Sequence, residues 1–186
     1  MFDMEQLIED CRDALADDES HKAVREVVTR AVTAPEEVLA VLGEPAEAGV
    51  QTLHHAADLT ILNVVWAPQM TVMPHNHQMW AVIGVYGGAE DNIFWRRRER
   101  RLEAAGAQAL REGEAAALGR DIIHSVSNPV EKLTGAIHVY GGDFFAAERS
   151  EWDPQSLTEV PYDFEKTVRL FATANARYMA GQGLAG

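Results

Sequence analysis

The sequence contains very little cysteine and no long apolar run, and each absence excludes a class of protein. With one cysteine, Cys11, in 186 residues, the chain has neither a disulfide framework nor a cysteine-based zinc site. No apolar stretch approaches the roughly 18 residues that a membrane-spanning helix needs. Basic residues are also few: 16 Lys and Arg face 29 Asp and Glu, a formal net charge of −13. We therefore expect no nucleic-acid partner and no membrane surface, because both repel an acidic protein.

What is present favours a globular protein with a small-molecule site. Hydrophobic residues make up 47% of the chain, which is enough for one domain with its own core. Residues 1–11 carry acids where a signal peptide needs bases, so we expect a cytoplasmic location. Any metal site must draw on the seven histidines and the carboxylates. Nothing in the sequence indicates the oligomeric state.

The pattern of apolar residues divides this single domain into three parts. Apolar residues at helical spacing predict a helical arm over residues 1–48, and an acidic irregular segment followed by a helix is predicted over residues 146–186. Between them, over about residues 50–145, six short apolar runs alternate with Gly, Pro, Asn and Asp. This alternation is typical of an antiparallel sandwich or barrel. The six predicted strands are 59–66, 78–86, 93–101, 115–118, 122–126 and 134–140.

Three histidines in the predicted barrel have the spacing of metal ligands. His75 and His77 are two residues apart, so in an extended segment both imidazoles point to one face. His124 follows in a segment, residues 113–128, with a Gly…His…Asn spacing. The two motifs together resemble those of the cupin superfamily. This resemblance implies a mainly β fold, a double-stranded β-helix (jelly-roll) barrel whose mouth holds a metal on these three histidines.

One departure from the usual cupin pattern narrows the resemblance. Most cupins add a Glu four or five residues after the second histidine, where this chain has Ala81 and Val82. A site of three neutral imidazoles keeps the full charge of a divalent ion and leaves up to three coordination positions open. With this change the chain resembles the three-histidine, cysteine dioxygenase-like thiol dioxygenases, and within them a bacterial branch of predicted metal-dependent double-stranded β-helix enzymes.

The same resemblance implies the cofactor, the reaction and two catalytic residues. The family's Ser-x-His-x-Tyr corresponds to Ala136, His138 and Tyr140, with the tyrosine hydroxyl facing the open side of the metal and the histidine orienting it. The implied cofactor is Fe2+, although Zn, Ni and Mn stay open because imidazole does not select among them. The implied substrates are a small thiol and O2, and the product is a sulfinate. The alternatives are other chemistry on this site, such as diketone-type C–C cleavage or a redox-neutral isomerisation, and a non-enzymatic ligand-binding cupin.

Two further departures from the family pattern affect the expected hydrogen-bond relay and the expected substrate. Ala136 replaces the family's serine, which leaves the hydrogen-bond relay one member short. The family's carboxylate-binding arginine has no counterpart, so cysteine is not the expected substrate. Candidate substitutes for that arginine are His54, His55, Arg120 and the group 96–98.

Three further groups of residues carry expectations, two of them with more than one interpretation. Trp66 matches a family tryptophan but also suits barrel packing. Ser127 and Asn128 are candidate supports for His124. The basic run Arg96–Arg101 is predicted to form a solvated strand edge, or to pair with acids of the arm or of a second subunit.

Overall fold

The structure is a computed structural model that describes residues 1–17, 21–99 and 101–182. The helices in these residues are α1 (Met4–Asp17), α2 (His21–Val32), α3 (Pro35–Leu42) and α4 (Phe164–Gln182). The strands are β1 (Gly49–His55), β2 (Thr60–Trp66), β3 (Thr71–Asn76), β4 (Ala81–Gly87), β5 (Ala89–Arg98), β6 (Arg101–Arg111), β7 (Ala115–Leu118), β8 (Ile123–Ser127), β9 (Thr134–Tyr140), β10 (Ser150–Trp152) and β11 (Glu159–Pro161). Of the helices described, none is both long and apolar enough to cross a membrane.

The strands form two sheets that make up a double-stranded β-helix barrel, which confirms the predicted mainly β fold with terminal helices. One sheet has the order β1-β2-β9-β4-β7, and the other has the order β11-β10-β3-β8-β5-β6. Each predicted strand overlaps an observed one, but β1, β3, β6, β10 and β11 were not predicted. The segment predicted to be irregular contains β10 and β11, and β10 pairs with β3 through Glu151 and His75.

The three inner strands of the five-stranded sheet, β2, β9 and β4, are buried on both faces, which explains why they are continuous apolar runs in the sequence. Along β9, Ile137 and Val139 pack with the N-terminal helices, whereas Ala136 and Tyr140 belong to the cluster inside the barrel. α2 packs directly over β4, and Gly84 permits this contact. A Cβ atom at Gly84 would lie 2.4 Å from Val28 Cγ1, so any larger residue would push the helix away from the sheet.

Candidate metal centre

The structure brings the three predicted metal ligands together in the barrel interior. His75 lies near the end of β3, directly opposite His124 on β8, and His77 follows one residue after β3 ends. The Nε2 atom of His77 lies 3.1 Å from that of His75 and 3.3 Å from that of His124. All three side chains are buried, and their ligand atoms lie within 4.8 Å of one another.

Hydrogen bonds orient two of these imidazoles through their outer nitrogens. His75 Nδ1 lies 2.9 Å from the carbonyl oxygen of Met73, and His124 Nδ1 lies 2.7 Å from Asn92 Oδ1. Because a carbonyl oxygen only accepts, each Nδ1 carries the hydrogen and each Nε2 presents a lone pair to the centre. Lone pairs that converge in this way repel one another unless a cation lies between them.

A metal ion fits this donor set better than a proton does. Burial is the main factor that lowers the pKa of His75, to about 4, and it lowers those of His77 and His124 well below the ordinary value. The imidazoles are therefore unprotonated near neutral pH. Two nitrogens bound at about 2.1 Å to one ion stand about 3.0 Å apart at an octahedral angle and about 3.4 Å apart at a tetrahedral angle. The two observed separations, 3.1 and 3.3 Å, lie between these values.

No carboxylate joins the three histidines within the described part of the chain. Ala81 is fully buried in the cluster inside the barrel and pairs directly with Tyr140 of β9. Val82 packs instead in the cluster on the helix side of the sheet. Of the two positions where the cupin pattern predicts a glutamate, only Ala81 belongs to the interior cluster. It places a methyl group, and no carboxylate, beside Tyr140.

A buried acid that the sequence did not single out, Glu90 of β5, connects the two predicted halves of the site. Its carboxylate accepts a 2.9 Å hydrogen bond from Trp66 Nε1 and a 3.0 Å bond from Asn92 Nδ2. Asn92 in turn accepts from His124. On the other side, Glu90 Oε2 lies 3.4 Å from His138 Nε2. The alternation of side chains along β5 could have indicated that Glu90 and Asn92 act together, since residues 90 and 92 share one strand face.

The predicted catalytic pair lies next to the histidine cluster. The Tyr140 hydroxyl and His138 Nδ1 are 3.1 Å apart, and the Tyr140 ring contacts that of His77 at 4.9 Å between centroids. His138 Nε2 is buried and makes no well-aligned hydrogen bond to any described residue; its nearest acidic atom is Glu90 Oε2. Since a carboxylate only accepts, we assign a hydrogen to His138 Nε2 and the acceptor role to Nδ1. Burial raises the pKa of Tyr140, which favours the neutral phenol as a donor.

The histidines, His138 and Tyr140 line a cavity of about 50 Å³ with mostly apolar walls. Val64, Trp66 and Val126 contribute to the walls from the two sheets, and Phe171 of α4 packs on the Trp66 ring at 5.5 Å. The C-terminal helix therefore closes part of the cavity. This small apolar space suits a small ligand and excludes most water.

The two residues expected to support His124 have other partners. Asn128 donates to the carbonyl oxygens of Trp66, Ala67 and Lys132, so it anchors the loops at that end of the barrel. Asn92 is the residue that supports His124. Ser127, which lies at the end of β8, pairs in the sheet with Thr71 and Asp91.

The expected substitutes for an anion-binding arginine do not reach the cavity. His55 is half-exposed and pairs with Asp143 at 2.8 Å. His54 contacts Arg12 on the surface, and Arg120 is exposed. None of them lines the cavity.

The basic run forms the end of the β5–β6 hairpin. Arg98 and Arg101 pair across it, and Arg100 lies outside the described residues. The exposed arginines pair with acids: Arg97 with Glu159 at 2.7 Å, and Arg96, Arg98 and Arg101 with Glu103. This arrangement agrees with the predicted solvated edge.

Comparisons with known proteins give distant similarity to solved cupin structures. No protein-family profile matches the sequence. An RmlC-like cupin family protein from Methanocaldococcus jannaschii aligns with 11% identity and a TM-score of 0.47, over 55% of this chain and 86% of that one. A conserved double-stranded β-helix protein from Klebsiella pneumoniae aligns with 13% identity and a TM-score of 0.47, over 58% and 81%. A cupin 2 conserved barrel protein from Salinispora arenicola aligns with 18% identity and a TM-score of 0.41, over 50% and 74%.

Proposed function

We propose that the protein is a mononuclear non-haem iron dioxygenase that oxidises a small thiol to its sulfinate with O2. The observation that carries the proposal is the convergence of three unprotonated imidazoles, without a carboxylate, beside a buried tyrosine hydroxyl. When bound, Fe2+ would supply open positions at which a thiolate and O2 meet, and the reaction adds both oxygen atoms to sulfur: RS− + O2 gives RSO2−.

The ligand set favours an anionic sulfur ligand. His75, His77 and His124 are neutral and so leave the charge of a divalent ion undiminished. A positive centre lowers the pKa of a thiol and stabilises the thiolate. The apolar walls of the cavity strengthen this attraction, because the local dielectric constant is low.

Tyr140 and His138 provide a proton donor and its acceptor. The Tyr140 hydroxyl is placed to donate a hydrogen bond to His138 Nδ1 or to a ligand in the cavity. Glu90 stands on the far side of His138 and would stabilise the imidazolium if the proton moved to Nδ1. In this proposal Glu90 takes the place in the relay that the missing serine leaves vacant.

The decisive experiment combines metal analysis with oxygen uptake. Protein purified from iron-supplemented cells should contain about one iron per chain and should consume O2 with at least one member of a panel of small thiols. Mass spectrometry should detect a product 32 mass units heavier than that thiol. If the purified protein holds zinc alone, it is reconstituted with Fe2+ under anaerobic conditions and then assayed in the presence of O2. If it consumes no O2 with any thiol after that, the proposal is wrong.

Three variants test the assigned roles separately. His124→Ala should lose the metal and the oxygen uptake, whereas His55→Ala, at an exposed histidine, should keep both. Stoichiometric metal in His124→Ala would refute the ligand assignment. Tyr140→Phe keeps the ring that packs on His77 and should retain the metal, but it should lower the uptake rate at least a hundredfold. An unchanged rate would remove the tyrosine from the mechanism.

A further inference from the structure

The cavity of the metal centre is too small, as it stands, for the ligands that such a centre serves. His75, His77 and His124 are each 7% exposed or less, and the cavity that they line has a volume of about 50 Å³. Pockets for small organic ligands usually measure about 300–1,000 Å³. A part of the wall must therefore move before a metal ion or a substrate can reach the histidines.

Much of this wall comes from strands that are held along both edges. Each of the strands β2, β3, β8 and β9 has a hydrogen-bonded neighbour on either side, so moving any of them would break two ladders of backbone hydrogen bonds. Another part of the wall is α4, which contributes Phe164, Thr167 and Phe171. The helix satisfies its own backbone groups and can leave the barrel without breaking a sheet.

The apolar attachment of α4 to the barrel is slight. Among the described side chains of this helix, Phe171 is the only apolar one that is buried, whereas Phe164 and Val168 are 44% and 52% exposed. The helix α2, on the outer face of the same barrel, buries four valines. Segments with few buried apolar contacts are those that open locally while the rest of the protein stays folded.

Polar contacts hold the two ends of α4 in different ways. At its N-terminal end, the buried carboxylate of Glu151 pairs with Lys166 and accepts from the Asp163 amide at 3.3 Å. In its C-terminal half, Asn175 Oδ1 accepts from the amide of Ala48 at 2.6 Å, and Asn175 Nδ2 donates to the carbonyl oxygen of the same residue at 2.7 Å. Within the described residues, this pair forms the only hydrogen bonds between the C-terminal half of α4 and the barrel.

The helix also covers the network of the buried acid. Phe171 stacks on the ring of Trp66 at 5.5 Å between centroids, and Trp66 Nε1 donates to Glu90. When α4 lies in place, water is kept from this hydrogen bond and from the histidines. The exclusion of water strengthens every electrostatic interaction in the centre.

We propose that α4 is a lid over the metal centre, whose C-terminal half swings away from the barrel when the contact between Asn175 and Ala48 breaks. This contact is the latch, and the end of the helix that is tied to Glu151 is the hinge. Withdrawal of Phe171 opens the cavity to solvent. Because the lid controls access for the metal and for any ligand of the metal, the inference goes beyond the proposed dioxygenase and holds for other chemistry at this centre.

The first measurement is hydrogen–deuterium exchange of the native protein, corrected for the intrinsic rate of each amide. In the wild type, the amides of residues 167–174 in α4 should exchange at least tenfold faster than those of residues 134–140 in β9. Asn175→Ala removes the latch and should raise the exchange of α4 at least fivefold further, with β9 unchanged. Thr173→Ala is the matched control, since the exposed Thr173 hydroxyl donates to the Arg169 carbonyl oxygen within the same helix. It should not raise the exchange of either segment.

The second measurement tests whether the lid controls the centre. Zinc-loaded protein is mixed with an excess of a chromophoric chelator, and the rate of zinc removal is followed. The metal can leave only while the lid is open, so Asn175→Ala should release zinc at least fivefold faster than the wild type and Thr173→Ala should release it at the wild-type rate.

Two outcomes overturn the proposal. One is a wild type in which α4 exchanges no faster than β9, because the helix then opens only with the whole protein. The other is an unchanged rate of zinc removal in Asn175→Ala. If Asn175→Ala does not fold, Asn175→Asp decides, since it keeps the acceptor for the Ala48 amide but loses the donor to the carbonyl oxygen. A rise of at least twofold in both rates supports the lid, and unchanged rates contradict it. Neither measurement needs turnover, so a protein that oxidises no thiol would refute the dioxygenase and leave this test readable.

Discussion

His138 Nε2 lies 3.4 Å from Glu90 Oε2, although the strands that carry these two residues belong to different sheets of the barrel. Through His138 the carboxylate reaches Tyr140, and through Asn92 it reaches His124. One buried acid is thus linked, through one intervening residue on each side, to the proposed metal ligand His124 and to the proposed proton donor Tyr140. This arrangement places a negative charge close to a centre whose own ligands are neutral.

Replacing Glu90 with glutamine should separate the effect of the carboxylate's charge on the reaction rate from the effect of its shape. Glu90→Gln keeps an oxygen that can accept from Trp66 but removes the charge that faces His138. We expect the oxygen-uptake rate to fall at least tenfold at unchanged iron content, because the imidazolium of His138 loses its stabilisation. Asp91→Asn is the control, since Asp91 is the next residue on β5 and pairs with Arg111 on the surface. Equal rates in the two variants would argue against a role for the Glu90 charge.

Asn92 should set the affinity of the site for its metal. Its Oδ1 accepts from His124 Nδ1 at 2.7 Å, and the loss of such a partner typically weakens metal binding by about 10- to 100-fold. Competition with a chromophoric chelator would measure this loss in Asn92→Ala. Asn63→Ala removes a buried amide that bonds to Tyr86 instead, and it should leave the affinity unchanged. If both variants bind the metal as the wild type does, the His124 orientation does not depend on Asn92.

The indole of Trp66 should contribute more to stability than its packing alone. Trp66→Phe keeps an aromatic ring in the wall but removes the donor to the buried Glu90 carboxylate, and we expect a loss of about 2 kcal/mol in the free energy of unfolding. Trp95→Phe removes a bond to the neutral Ser125 hydroxyl and should lose about 1 kcal/mol. Denaturant titrations measure both values. A larger loss in Trp95→Phe would contradict the ranking.

Cys11 should be chemically silent in the folded protein. Its side chain is fully buried, and burial is the main factor that raises its pKa to about 12. At pH 8 only about one thiol in 10⁴ is then ionised, so a disulfide reagent should titrate no thiol in the native protein and one after denaturation. The folded state retains a proton that the unfolded state releases above pH 9. The thiol therefore contributes stability below pH 9 that is lost as the pH rises toward 12. Rapid reaction of Cys11 with the reagent in the native protein would show that the N-terminal helical arm opens.

The strands predicted correctly are those whose sequence carries a local signal. β2, β4 and β9 are rich in apolar residues because both faces of their sheet are covered, so each can be recognised without its neighbours. β6 was not predicted because it is an exposed edge strand with a run of alanine, glycine and glutamine, none of which has a strong β preference. β10 and β11 have three residues each, too few for a periodic pattern.

The candidate site shows the same division. The spacing of His75 and His77 and the turn before His124 are local, and the alternation of His138 and Tyr140 along one strand is local as well. Their assembly into one cluster follows from a barrel whose strands bring them together. Glu90 could not be paired with the site from the sequence, because its contacts depend on which strands become neighbours.

The sequence by itself determined the acidic balance, six of the strands and the residue types that can hold a metal, since these depend on composition and on spacing along an extended chain. Only the tertiary structure decided that Glu90 lies between His138 and Trp66, and that Asn92 and not Asn128 supports His124. The physical reason is that barrel closure and the packing of α4 fix distances between segments far apart in the chain. Residues that carry no local pattern acquire their chemistry from those distances.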